Sequence, residues 1–304
     1  MRNIDVCIPV YKPGKELKIL LQRLLRQDYP IRKILIANTE EQYWEDSLLS
    51  EIPCAEVFHI SKQEFDHGGT RHALAEKAEA DLLLFMTQDA VPVDRHLLSS
   101  LAEAFETPGV KAAYARQLPR KDCREMERFS RGFNYPEESR VKTLADLPEL
   151  GIKTYFCSDV CAAYDRETYF AMGGFTRHTI FNEDMIFAAG LIKAGYGVAY
   201  AAEARVIHSH NYSAGQQFHR NFDLAVSQAD HPEIFADVPS EGEGMRLVKA
   251  SVRHAFRIGK PWLIFPLGTQ CVGKYAGYLL GKRYRKLPGW LIRKCTMSKE
   301  YWKK

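Results

Sequence analysis

Four short stretches carry side chains whose types and spacing suit chemistry. Thr87-Gln88-Asp89-Ala90 follows the most apolar run of the chain, residues 82–86. A carboxylate at the tip of a buried strand is placed to hold a hard divalent cation, because Mg²⁺ favours one or two carboxylates together with phosphate oxygens. Asp89 equally suits a cap for the turn ahead of Pro92. Asp66-His67-Gly68-Gly69-Thr70-Arg71 opens a helical stretch. Its glycines permit close backbone approach, the amides at a helix start attract an anion, and Arg71 adds positive charge. A plain loop capped by Thr70 fits the same letters. Phe181-Asn182-Glu183-Asp184-Met185 precedes an apolar-periodic helix that stops at Lys193-Ala194-Gly195. With Asn182 as N-cap, two carboxylates fall in the first turn, where they complement the helix dipole or supply a general base toward a hydroxyl. The dipole keeps Asp184 ionised but weakens it as a base, unless burial or the bound substrate compensates. In Val206-Ile207-His208-Ser209-His210, both histidines project from one face if the chain is extended. That pair suits a divalent metal or local hydrogen bonds, with Asp89 the nearest candidate partner.

These stretches need elements to position them. Residues 4–10, 34–36, 56–60 and 82–86 read as buried strands. Leu17, Leu20, Leu21, Leu24 and Leu25 repeat at helical spacing after Pro13-Gly14, and further helices are expected over about 69–80 and 94–106. Strand–helix alternation predicts a parallel sheet covered on both faces, with ligands beyond the carboxyl ends of the strands. Tyr11, Asn38, residues 66–71 and residues 87–89 fall at those ends. The turn after the first strand is Tyr11-Lys12-Pro13-Gly14, not G-x-G-x-x-G, and no G-x-x-x-x-G-K-[ST] occurs. Dinucleotide oxidoreductases and P-loop NTPases are disfavoured.

The composition, 304 residues with 46% hydrophobic and 26% charged, is that of one large globular domain plus an appendage. It excludes disorder, collagen-like repeats and coiled coil. No window of 18 uncharged apolar residues occurs, and the strand-like run beginning at Ile4 predicts no signal peptide. The seven scattered cysteines read as reduced cytosolic thiols, and Cys157 and Cys161 lack a second pair to complete a zinc site. Charge is segregated: residues 246–304 hold fifteen Lys and Arg against Glu300 alone, leaving 27 basic and 37 acidic residues before them. The tail is also rich in aromatics, including Trp262, Phe265, Tyr275 and Trp290. Basic residues interleaved with interfacial aromatics favour an anionic membrane surface, and no nucleic-acid reading module is present. Met245, Val248, Val252 and Phe256 form an apolar stripe beside a basic one of Arg246, Lys249, Arg253 and Arg257. That stripe either meets lipid or docks on the rest of the chain.

Several motifs in order resemble a known family. Ile8-Pro9-Val10-Tyr11, the helix-opening Gly-Gly-Thr-Arg, Asp89, Gly173-Gly174-Phe175 followed by Glu183-Asp184, and the late His208 resemble family 2 of the inverting glycosyltransferases. Phe65–Arg71, Thr87–Ala90, Arg116-Gln117-Leu118-Pro119, Phe133–Pro136, Phe156–Tyr164 and the tail from Leu287-Pro288 to Trp302 are similar to its bacterial rhamnosyltransferase branch. The resemblance implies a GT-A fold over residues 1–240, a Rossmann-like nucleotide-sugar-binding mixed sheet with helices on both faces. Residues 1–115 would be the nucleotide half, 116–240 the acceptor half, and 241–304 a basic helical tail. It implies inverting transfer of L-rhamnose from dTDP-β-L-rhamnose to a glycan or lipid-linked glycan of O-antigen or capsule type; the cysteines and the basic tail place this on the cytoplasmic side, peripherally at the inner membrane face, as an expectation. Asp184 would be the base, with Glu183 orienting the acceptor. Asp89 and His208 would hold Mg²⁺ or Mn²⁺. Pro9, Tyr11, Asn38, Asp66, Gly69, Arg71 and Gln88 would line the nucleotide pocket, and Ser158, Asp159, Arg116 and Gln117 the sugar or acceptor site. The sequence departs from the family at Thr87, where the first Asp of D-x-D is common, at Lys12, at Ala37–Glu40 and at His72. Two other readings remain at this point. One is transfer from a UDP- or GDP-sugar. The other is a catalytically silent membrane-bound partner, against which the retained Glu183, Asp184 and His208 weigh.

Overall fold

A computed structural model describes residues 2–236, 238 and 241–303. The early alternation folds as Ile4–Tyr11 (β1), Lys15–Leu24 (α1), Ile31–Thr39 (β2), Ala55–Ile60 (β3), His67–Lys77 (α2) and Leu82–Met86 (β4). Then come Val91–Pro92 (β5), Leu97–Glu103 (α3), Val110–Leu118 (β6), Glu125–Asn134 (α4), Arg140–Lys142 (β7), Leu147–Leu150 (α5), Cys161–Asp165 (β8), Arg166–Ala171 (α6), Glu183–Lys193 (α7) and Gly197–Ile207 (β9). Helices complete the chain: Ala214–Asp230 (α8), Pro232–Phe235 (α9), Glu241–Arg257 (α10), Ile264–Lys282 (α11) and Gly289–Cys295 (α12).

The chain forms two compact units. The first holds the residues up to 118, 135–178 and 183–208; the second holds 119–134, 179–182 and those from 209 onward. The second unit thus takes in α4 and α8 as well as the tail, so the division expected near residue 240 lies earlier, after residue 208.

In the first unit one sheet runs β3-β2-β1-β4-β8-β6-β9-β5, with β7 also paired to β9. Strands β1 to β4 are parallel, as the alternation predicts. The sheet is nonetheless mixed, because β8 inserts antiparallel between β4 and β6. Ile4, Val6, Ile8, Ile34, Ile36, Leu82 and Leu84 bury one face, and α1 covers it with Leu17, Leu20, Leu21 and Leu24. Burying each such side chain is worth roughly 1.5–3 kcal/mol. Leu25, expected on the same stripe, lies past the last helical residue and is exposed. Phe85, Tyr164, Tyr169, Phe175 and Phe187 pack mutually as an aromatic cluster. Gly174 has φ +70°, and a Cβ there would collide with the rings of His72 and Tyr169. His72 therefore fills the space beside the Gly-Gly turn.

The second unit is helical. α8 begins with a capping box in which Ser213 and Gln216 satisfy each other's backbone amides. α11 packs on α8 through Gly273, Gly277 and Gly281, where any Cβ would strike the carbonyls of Ala214, Phe218 and Phe222. Phe265 and Val272 of α11 remain 79% and 70% exposed, with Tyr275 and the neighbouring Trp262 also exposed. α10 buries Ser251 and Ala255, while His254 stacks on Phe129 of α4 at 4.3 Å. Met245 and Phe256, the ends of the expected apolar stripe, face outward. Among the described residues, no helix is long and apolar enough to cross a membrane.

Candidate active site

Strand direction brings the chemistry together. β6 runs antiparallel to β8 and so shares the direction of β4, and β9 is parallel to β6. The carboxyl ends of β1, β2, β4, β6 and β9 and the amino end of β8 therefore share one edge of the sheet. Asp89 follows β4, Gln117 ends β6, Ser158 and Asp159 precede β8, and His208 follows β9. The Thr87 amide donates to the Val160 carbonyl (3.1 Å), and the His208 amide to the Leu118 carbonyl (2.9 Å).

At the start of α7, Arg71 is buried against two carboxylates, 3.0 Å from Glu183 Oε1 and 3.3 Å from Asp159 Oδ2. Asp159 Oδ1 accepts from the Tyr164 hydroxyl (2.7 Å). Its backbone amide donates to Asp184 Oδ2 (3.0 Å), and the Met185 amide donates to Asp184 Oδ1 (2.7 Å). Asp184 is half-buried. Burial first, and the neighbouring Glu183 charge second, push its carboxyl up to about 7. Burial and the Asp184 charge likewise raise Asp159 well above the usual carboxylate range. The helix dipole was expected to hold Asp184 low; desolvation outweighs it. Asn182 precedes α7 with φ +67° rather than the extended backbone of the expected N-cap, and its side-chain amide donates to the Leu224 carbonyl, both residues lying in the second unit.

Asp89 Oδ2 and His208 Nε2 lie 3.7 Å apart. One carboxylate oxygen and one imidazole nitrogen form a donor set that suits a divalent cation such as Mn²⁺. β9 ends at Ile207, so His208 stands just beyond the strand, and His210 belongs to the second unit. Gln117 Oε1 meets His208 Nδ1 at 2.9 Å, and its amide nitrogen donates to Ser158 Oγ (3.0 Å) and Tyr135 Oη (2.6 Å). Arg116 points from the opposite side of β6, as strand alternation requires, and pairs with Glu137 (2.9 Å).

The residues expected around a nucleotide take mixed roles. Pro9 and Asn38 lie in β1 and β2; Asn38 is buried, donating to the Glu40 carbonyl and facing His59 Nδ1 at 3.0 Å. Tyr11 is exposed, and Gln88 clamps its backbone from both sides, accepting from its amide (2.9 Å) and donating to its carbonyl (3.0 Å). Asp66, not Thr70, caps α2: Oδ1 accepts from the amides of Gly69 (2.6 Å) and His178 (3.0 Å). Gly69 is small so that this cap fits, since a Cβ there would press on Asp66 Oδ1.

Residues 5–170 match the model of glycosyl transferase family 2. The chain belongs to that family. This family 2 glycosyltransferase is 38% identical over 302 residues to the O-antigen chain rhamnosyltransferase RfbN of Salmonella typhimurium, covering 99% of this chain and 96% of the relative. It is 43% identical over 248 residues to the O-antigen chain rhamnosyltransferase WbaN of Salmonella anatum, covering 81% and 78%. In fold it is similar to the mannosyltransferase PcManGT of Pyrobaculum calidifontis, solved with GDP-Man and Mn²⁺. The TM-score is 0.63 at 14% identity, over 93% of this chain and 88% of that one. It is also similar to S. aureus TarS 1–349 with UDP-GlcNAc, with TM-score 0.52 at 13% identity, over 94% and 92%. The architecture is GT-A.

Two hydroxyls that hold candidate site residues carry no signal of their own in the sequence. Tyr164 holds Asp159 and Tyr135 meets Gln117. Both lie in stretches that resemble the rhamnosyltransferase branch. Their hydroxyls' partners are 5 and 18 residues away in sequence, and only the folded sheet brings them within reach.

Proposed function

We propose that this enzyme transfers L-rhamnose from dTDP-β-L-rhamnose to a hydroxyl of a lipid-linked or polysaccharide acceptor in O-antigen-type glycan assembly, with inversion at the anomeric carbon. The observation that carries the reading is the 38% identity to an O-antigen chain rhamnosyltransferase along 99% of the chain. Asp184 is the base. With its carboxyl pushed up to about 7, it is ionised above neutrality and basic enough to accept a proton. As the acceptor hydroxyl loses its proton to Asp184, its oxygen forms a bond to the anomeric carbon, and the bond to the diphosphate breaks on the opposite side. Asp159 and Met185 hold Asp184 through their amides, while Arg71 balances the charges of Glu183 and Asp159. Asp89 and His208 are the residues that would hold a divalent cation, which when bound supplies charge to the departing diphosphate.

The second unit seats the enzyme on anionic lipid at the cytoplasmic face. Supporting this are the near absence of acids after residue 245 and the outward apolar side of α11, with Trp262 beside it.

Calorimetry with dTDP-rhamnose, UDP-galactose and GDP-mannose, each with and without Mn²⁺, tests the donor. Binding and cation-dependent turnover of dTDP-rhamnose alone is expected. Exclusive use of a UDP- or GDP-sugar would overturn the rhamnosyl assignment.

A further inference from the structure

We infer that Gln117 is a positioning residue that fixes the ring orientation and tautomer of His208 and, through Ser158, ties that ring to the loop holding Asp184. The inference rests on the reading of Asp89 and His208 as a cation site, and it reassigns Gln117 from the sugar or acceptor site to the support beneath that site.

Gln117 is 1% exposed, so its amide is committed to partners within the protein. Its nitrogen donates toward two hydroxyls, Tyr135 Oη at 2.6 Å and Ser158 Oγ at 3.0 Å. With both N–H directions used in this way, Oε1 faces His208 Nδ1 at 2.9 Å and accepts its proton. A neutral imidazole carries one N–H, so placing it on Nδ1 leaves a lone pair on Nε2, the atom 3.7 Å from Asp89 Oδ2. The opposite tautomer would turn an N–H toward the cation position and could not ligate. The His208 amide bonds to the Leu118 carbonyl, which fixes the backbone, while the Nδ1 side of the ring meets Gln117 Oε1. Histidine ligands in general donate their second ring nitrogen to such an acceptor, and losing it weakens metal binding about 10–100-fold.

The same amide reaches the other half of the site. Ser158 immediately precedes Asp159, whose backbone amide donates to Asp184 Oδ2. One buried side chain thus joins the support of the cation ligand to the support of the base. Arg116, next to it, faces away to Glu137 and takes no part in this link.

The test reads the ring directly. In the metal-free full-length chain at pH 8, ¹⁵N shifts of the His208 ring are expected to show the Nδ1–H form, and the Nε2–H form in the wild type would overturn the inference without any variant. Gln117→Leu should mix the tautomers and weaken Mn²⁺ binding, followed by the spin-resonance signal of free Mn²⁺, by about 10–100-fold. Gln117→Glu still offers an acceptor to Nδ1–H, and should keep that tautomer with Mn²⁺ affinity within about threefold of wild type, far less than the loss on removing the acceptor. Circular dichroism checks that both variants fold. Equal weakening by Glu and Leu, or none by Leu, would defeat the assignment. His208→Ala separates the two claims: unchanged Mn²⁺ binding there removes the cation reading, whereas the tautomer measurement still judges Gln117.

Discussion

Two regions of the molecule break the usual rule of burial in opposite directions. At the start of α7, three carboxylates and a guanidinium are drawn out of water; along α11, large apolar side chains are left in it. Both arrangements oppose stability on their own, since buried charge must be compensated and large exposed apolar side chains gain nothing from folding. The α7 region is compensated internally by Arg71, the Tyr164 hydroxyl and two backbone amides. Even so, Asp184 remains far more basic than a solvated carboxylate. Along α11 the inner side is committed to glycine contacts with α8, and Phe265, Val272 and Tyr275 stay exposed. On the proposed reading, the first region holds the base and the second the lipid-facing surface. Changes to them should therefore separate turnover from placement.

The largest effect should come from Asp184. Asp184→Asn removes the base and should lower turnover at least about 10³-fold with donor affinity nearly unchanged, on the scale seen when a general base is lost. In the wild type, kcat/KM should rise with pH through about 7, because the ionised carboxylate is the active form and its pKa is raised. A pH profile flat from 5 to 9, or near-normal turnover by the variant, would assign the proton to another group. Asp89→Ala ranks next. It should weaken cation-dependent donor binding about 10–100-fold, the range typical of lost metal-site support, while cation-free binding stays level. Equal loss with and without Mn²⁺ would place Asp89 outside the cation site.

How far the letters alone led is instructive at particular residues. Periodicity placed β1, α1 and β4 almost to the residue because a two-residue or a 3.6-residue repeat is local information. The antiparallel insertion of β8 was not legible, since strand order depends on pairing between Leu83 and Tyr164, far apart in sequence. Asp184, Asp89 and His208 were nameable as chemistry. That Arg71 pairs with Asp159 and Glu183, or that Asp66 also accepts from His178, was not, because each of these contacts closes a long loop. The raised Asp184 carboxyl shows the same limit: the dipole is written in the helix start, whereas the opposing burial exists only after folding. The tail's apolar stripe suits lipid or docking equally in the sequence; in the fold α10 buries small Ser251 and Ala255 and turns Met245 and Phe256 outward.

The exposed face is sharpened by placing charge in it. Phe265→Glu combined with Val272→Glu removes two apolar anchors and adds two negative charges. Flotation with phosphatidylglycerol vesicles should fall about tenfold or more, as each basic residue near such a surface is worth ~1 kcal/mol and apolar burial adds to it. Wild-type binding should weaken from low to high salt. Turnover on a water-soluble acceptor should be unchanged, because neither side chain belongs to the first unit. No vesicle binding by the wild type at low salt would leave α11 to another partner and discard lipid seating.

The smallest effect is also the one that tests why Asp184 is unusual. A carboxyl whose folded-state pKa lies above its unfolded value binds its proton more tightly in the native chain. Stability therefore declines as pH rises from the usual carboxylate range through about 7, and the full penalty is felt above that. Asparagine has no such titration and nearly the same shape. Asp184→Asn should accordingly be more stable than wild type at pH 8, by on the order of 1 kcal/mol, or about 2–4 °C in Tm for a protein of this size. At pH 4, where the native carboxyl is protonated, the two should melt together. A variant less stable than wild type at pH 8 would mean that the amides of Asp159 and Met185 hold the carboxylate more strongly than burial opposes it. Asp184 would then be a well-satisfied acid, and the basicity assigned to it would have to come from the bound substrate instead.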